Sequence, residues 1–326
     1  MGVKKKVRIG GQEMGKSLKD IEQFVEKMGL PSKDLYDLPS SGKTFPDGAH
    51  WRTEISGIET AGVLEAALDE ARKRKIVIHR IMATVNGSTF YDMDEMKALA
   101  KLAHDEKVEA IVTIGPRKAW DVGARELSAW GVTGFRMRGS DSIRNVLADI
   151  MRCLEAGMRG FLIYDEGVLS IVAQMRKEGF IPKDTVFKWS VYGGYCSGPG
   201  ARIIEALGAN TLNPTSDVTF PILASIRKAV SIPLDVYMWP FDSMGGEFRA
   251  YEAAEIARIA SPCYFKFEPG TSDQQVYRPW VAEDWVKDFV RMKVKMASIV
   301  KEIVERHGPE IKLSGKGPSD LVLPAP

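Results

Sequence analysis

The sequence has few cysteines and few histidines. Cys153, Cys196 and Cys263 lie far apart and form neither a CxxC pair nor a zinc-ligand spacing. That pattern excludes a disulfide scaffold and fits a reducing, cytoplasmic setting. The four histidines form no HxH or HExxH motif. No run of about 18 apolar residues occurs, so no membrane span is expected. The basic start, Met1 to Gly11, lacks the apolar stretch of a secretory signal. Charge of either sign is scarcely in excess: 45 basic and 43 acidic residues leave a net +2. Neither nucleic acid nor membrane is therefore expected as a partner. No Gly-x-Gly-x-x-Gly follows the first strand-like segment, so no nucleotide cofactor is expected.

What is present is alternation. Strand-like segments fall near 51–56, 76–83, 109–115, 134–139, 160–165, 186–192, 210–215, 234–239 and 263–268. In Arg52-Thr53-Glu54-Ile55-Ser56, Phe187-Lys188-Trp189-Ser190 and Tyr264-Phe265-Lys266-Phe267-Glu268, one parity is apolar and the other polar. Side chains alternate across a strand, so each segment offers one apolar and one polar face. Helix-like stretches near 59–74, 92–106, 120–130, 141–156, 168–178, 199–207, 218–229 and 246–260 separate them. Repeated strand–helix units predict a parallel sheet covered by helices. A (β/α)8 TIM-type barrel explains the polar parity best, because all its strands share one interior. Nine segments compete for eight places, and 109–115 or 134–139 is the one to be misread. The expected division is an N-terminal arm over 1–47, a catalytic barrel over 48–280, and a terminal helix and tail over 281–326 packed on the barrel. The terminal helix carries Trp285, Phe289, Val290, Met292, Met296 and Val300, which is a packing face or a homo-oligomer contact.

Barrel enzymes keep their sites at the carboxyl ends of the strands. That rule selects Arg52, Glu54, His79, Arg136, Arg138, Asp165, Lys188, Ser190, Tyr192, Asn213, Tyr237, Trp239, Lys266 and Glu268. Arg52, Arg136, Arg138, Lys188 and Lys266 outnumber Glu54 and Glu268, so a small anionic substrate, a carboxylate or a phosphate, is expected. Glu54 or Asp165 would move protons, and Lys188 or Lys266 would polarise a carbonyl or capture it as a Schiff base. Structural ion pairs among the same residues are the plainer alternative. Glu54, His79, Asp165 and Glu268 could instead hold a divalent metal. Lyase or hydrolase chemistry on a small metabolite follows, with a non-catalytic metabolite-binding barrel as the alternative from another class.

One stretch adds a resemblance. Gly160-Phe161-Leu162-Ile163-Tyr164-Asp165-Glu166-Gly167, Lys188-Trp189-Ser190, Glu205-Ala206-Leu207-Gly208-Ala209-Asn210 and Leu234-Asp235-Val236-Tyr237 follow in order. Residues 160–237 so resemble the collagenase-like peptidase family of unassigned catalytic type. The resemblance implies an α/β barrel and a peptidase-like hydrolase. Leu212-Asn213-Pro214-Thr215 stands where the family carries an Arg-Glu pair. Three scattered cysteines cannot supply four thiolates, so the iron–sulfur cluster of many family members is not expected here.

Overall fold

The structure, a computed structural model, describes residues 8–9, 12–13, 17–85, 87–115, 136–278 and 280–326. Eight parallel strands close into a barrel: β1 (Trp51–Ile58), β2 (Arg80–Ala83), β3 (Glu109–Thr113), β4 (Gly160–Ile163), β5 (Val186–Trp189), β6 (Thr211–Leu212), β7 (Leu234–Trp239) and β8 (Cys263–Phe267). Each strand pairs with its sequence neighbour, and β8 pairs with β1 to complete the ring. The chain is a (β/α)8 barrel.

The strand rule fails at one of nine segments. Glu109–Thr113 is a barrel strand and pairs directly with β4. The 134–139 segment has no place in the ring: residues 134 and 135 lie outside the described residues, Arg136–Arg138 is loop, and Gly139 begins a helix. Its described residues lead into a helix and join no ladder. The helix expected over 120–130 also lies outside the described residues.

Helices α1 (Leu18–Lys27), α2 (Ala61–Arg74), α3 (Met93–Asp105), α4 (Gly139–Glu155), α5 (Glu166–Glu178), α6 (Gly198–Ala206), α7 (Phe220–Ala229), α8 (Ala253–Ala260) and α9 (Glu283–His307) follow the sequence pattern. Local chemistry sets their starts. Thr60 caps α2 by accepting from the Val63 amide, and Asp92 and Glu95 form a reciprocal capping box on α3. Gly179, at φ +77°, ends α5 in the left-handed conformation that glycine adopts without strain.

The strands bury both faces. Their outward parity, including Ile55, Ile81, Val112, Phe161, Phe187 and Phe265, joins the main apolar core under the helices. Helix α9 lies along α2 and β1 and buries Val286, Val290, Val294, Ala297, Val300 and Val304. This face packs on the chain's own barrel. Inside the ring, Met82, Ile111, Leu162 and Val186 form part of a second, smaller apolar cluster.

The segment after α9 crosses the amino end of the barrel. Leu313 bridges to Trp51, and the Ser314 amide donates to the Trp51 carbonyl. Farther on, the Val322 amide donates to the Glu109 carboxylate, and the Ala325 amide to the Gly157 carbonyl. Helix α1, at the other terminus, buries none of its residues and leaves Leu18, Ile21 and Phe24 exposed, with Met28 just beyond it. No helix among the described residues is long and apolar enough to cross a membrane.

Candidate functional site

The inward parity carries two sets of charges at different depths. The deeper set lies across the middle of the barrel. Lys188 Nζ donates to both oxygens of Glu54, at 2.8 and 2.7 Å, and stands 3.0 Å from Asp235 Oδ2. Arg80 reaches the same two carboxylates, Glu54 at 3.2 Å and Asp235 at 2.8 Å, and turns its Nε to Glu109 at 2.6 Å. The Tyr264 ring lies against the Arg80 guanidinium, 3.4 Å from its centroid. Every member is at most 4% exposed. Burial alone would raise the Glu54 carboxyl; Lys188 and then Arg80 outweigh it and hold it at about 2. Burial likewise pushes the Lys188 amine below its ordinary value, against the pull of Asp235 and Glu54.

The second set sits at the carboxyl ends of β7 and β8. Tyr237 donates its hydroxyl to Glu268 Oε2 at 2.8 Å. Lys266 Nζ donates to the Tyr237 oxygen at 2.9 Å and lies 2.9 Å from Glu268 Oε2. Burial, and then Glu268, push the Tyr237 phenol well above its ordinary value, so it stays protonated at neutral pH. These three groups face a cavity of about 20 Å³ at the barrel mouth, walled also by Thr113, Tyr164, Ser190 and Tyr192 and by apolar Met82, Val85 and Leu162. That volume holds about one water molecule. The Thr113 hydroxyl on its wall is buried without a hydrogen-bond partner among the described residues. Ser190 accepts from the Tyr192 amide at 3.2 Å, which fixes the turn that brings Tyr192 over the cavity.

The remaining candidates go elsewhere. Arg52 lies at the amino end of the barrel, donating from Nη1 and Nη2 to Asp320 at 2.9 and 2.7 Å and from Nε to Ser314. His79 is beside it and points outward, not into the interior. Its Nδ1 accepts from the Thr53 amide, and its Nε2 lies 3.1 Å from the Ser314 and Gly315 carbonyls. Burial, helped by Arg52, lowers its pKa to about 4, so the ring is neutral. Asp165 caps α5, accepting from Val168, and also binds the Met137 amide. Arg136 is at the rim of β4 and β5, where it pairs with Glu166 at 2.8 Å and donates to the Tyr164 carbonyl. Arg138 is exposed at the start of α4. Asn213 is buried and donates to the Asp235 and Pro214 carbonyls. Trp239 follows an irregularity in the β7–β8 register and packs on Phe248, away from the cavity walls.

Two expectations are thereby corrected. The interior has no cationic surplus: Arg52, Arg80, Lys188 and Lys266 are matched by Glu54, Glu109, Asp235 and Glu268. Arg136 and Arg138 left the count, and Arg80, Glu109 and Asp235 entered it. Nor are the proposed metal ligands brought together. His79 lies at the opposite end from Glu268, Asp165 serves a helix start, and Glu54 is enclosed by cations. Among the described residues no group of three or more histidine, cysteine or acidic side chains is placed to hold a metal.

No family model and no curated protein matches the chain. Solved structures do resemble it at low identity. The YdjI aldolase from Escherichia coli K12 is 16% identical over 79% of this chain and 92% of its own, with a TM-score of 0.46. D-psicose 3-epimerase from Clostridium cellulolyticum H10 is 12% identical over 77% and 96%, with a TM-score of 0.43. The U32 peptidase Mk0906 is 16% identical over 62% and 73%, with a TM-score of 0.39. Likenesses this distant carry no argument about activity.

Proposed function

We propose that this chain is an enzyme that acts on a small metabolite bearing a carbonyl or carboxylate, by lyase-type or related proton-transfer chemistry. The observation that carries the reading is the convergence of Lys266, Tyr237 and Glu268 on a cavity at the carboxyl end of the barrel, where barrel enzymes keep their sites. Glu268 would take a proton from substrate carbon or oxygen. Tyr237, kept protonated, would return one or orient the base. Lys266 would hold a developing oxyanion or capture the carbonyl as a Schiff base. Lys188 is a poor choice for that role, because two carboxylates and Arg80 enclose it below the cavity. An anionic substrate group would meet Lys266 within and Arg136 at the rim. Each already faces one carboxylate, so one such group is the most the site would favour.

The test is a screen of small hydroxy- and keto-acids and sugar phosphates against the wild type, Lys266→Ala and Glu268→Gln, with borohydride reduction to trap any Schiff base. Turnover lost in both variants, with folding intact, supports the reading. Turnover unchanged in both sinks it. Peptide cleavage in place of metabolite turnover would favour the peptidase-like alternative. Tight binding without turnover would favour a metabolite-binding barrel.

A further inference from the structure

One buried lysine takes no part in either charge set. Lys293, on α9, is 1% exposed, and no carboxylate of the described residues forms an ion pair with it. Its Nζ donates to the Ser56 carbonyl at 2.8 Å and to the Tyr277 hydroxyl at 2.6 Å. The rings of Phe289 and Tyr277 flank it at 4.5 and 5.0 Å. Burial lowers its pKa to about 7, against weaker pulls from Glu268 and Glu59 and with a push from Lys266.

The backbone makes room for this contact. Gly57 has φ +81° and marks a shift in the β1–β2 register. A Cβ there would lie 2.8 Å from Lys293 Nζ and closer still to the Tyr277 phenol. Only glycine allows that approach.

Tyr277 ends the segment that follows β8. This segment leaves Glu268 and turns at Gly270, φ +122°. It is tied to the loop after β7 by Asp242 and Ser243 amides donating to the Gly270 and Thr271 carbonyls. Val276 and Tyr277 belong to the apolar cluster that includes Met82, Val85 and Leu162, three walls of the inner cavity. The same two residues also line a larger pocket of about 230 Å³ with Glu59, Tyr91 and Arg278. They thus line the outer pocket and share an apolar cluster with three walls of an inner cavity that holds about one water.

We propose that Lys293 is a positioning residue for the Lys266–Tyr237–Glu268 site: it latches the 269–278 segment across the barrel mouth through Tyr277, and a metabolite passes from the outer pocket to the inner cavity only when this pair parts. The inference rests on the reading of the inner cavity as the site. Its test does not need a substrate. Amide hydrogen exchange and the rate of Lys266 amidination by methyl acetimidate are compared in wild type, Lys293→Met and Tyr277→Phe. Both variants are expected to speed exchange over 269–278 and labelling of Lys266 by about tenfold, the worth of one lost buried hydrogen bond, with exchange in the barrel strands unchanged. Tyr277→Phe keeps the ring and guards against a Lys293→Met protein that fails to fold. Unchanged exchange over 269–278 overturns the latch. Faster exchange with unchanged Lys266 labelling overturns its role in guarding the site. A failure of the site reading shows separately, as turnover that survives Lys266→Ala.

Discussion

Two lysines in one barrel keep similar company in different surroundings. Lys188 has Glu54 and Asp235; Lys266 has Glu268 and Tyr237. The difference is what lies on the open side. Lys188 is enclosed by two carboxylates that are themselves held by Arg80, which Glu109 and Tyr264 hold in turn. Each charged side chain there lies against at least one of opposite sign. Lys266 and Glu268 face a cavity instead, walled also by a buried Thr113 hydroxyl that has no partner among the described residues. A closed ion network fills the space of a core, whereas an open one leaves a direction in which chemistry can occur.

The contrast can be broken by substitution. Lys188→Met leaves two buried carboxylates facing Arg80 alone and is expected to cost about 3–5 kcal/mol in chemical denaturation. A loss below about 1 kcal/mol would show that water reaches the middle of the barrel. Acid titration gives the next effect. The folded state holds His79 at about 4, below its ordinary 6.5. The unfolded chain therefore binds the extra proton between these values, and stability falls as pH drops from about 6.5 towards 4. The loss is about 3 kcal/mol, and His79→Gln should flatten that limb of the curve. Lys266→Met is expected to cost about 1–3 kcal/mol, less than Lys188→Met, while abolishing turnover. Equal costs would erase the distinction between the two networks. Asp320→Asn keeps a hydrogen-bond acceptor for Arg52 and should cost about 1 kcal/mol with no effect on turnover.

The barrel was legible because parallel strands with helical cover leave a double signal, in period and in spacing. Eight of nine segments are strands, and the helix starts follow capping residues such as Asp92 and Asp165. The candidate site was legible in part. Tyr237, Lys266 and Glu268 share one parity on two adjacent strands, and they meet. Ile78-His79-Arg80-Ile81-Met82 misled, because each parity holds one polar residue; the imidazole was the more conspicuous and the guanidinium the inward one. Asp235 shares its parity with Tyr237 and could have been found from it. Lys293 could not: it sits in an amphipathic helix where a lysine reads as solvated, and only the β1 irregularity at Gly57 makes a place for it.

The segment across the amino end of the barrel sets an order of events during synthesis. Arg52 on β1, the ring of His79 before β2 and Glu109 on β3 each find a partner between residues 314 and 322. A nascent chain emerging from the ribosome can pair its early strands and join Arg80 to Glu109, but the contacts of these three side chains with residues 314–322 wait until all eight strands and α9 have been made. Covering of the barrel's amino end is thus the late step, and a chain stalled after β8 would expose the base of its own ring to chaperones and proteases.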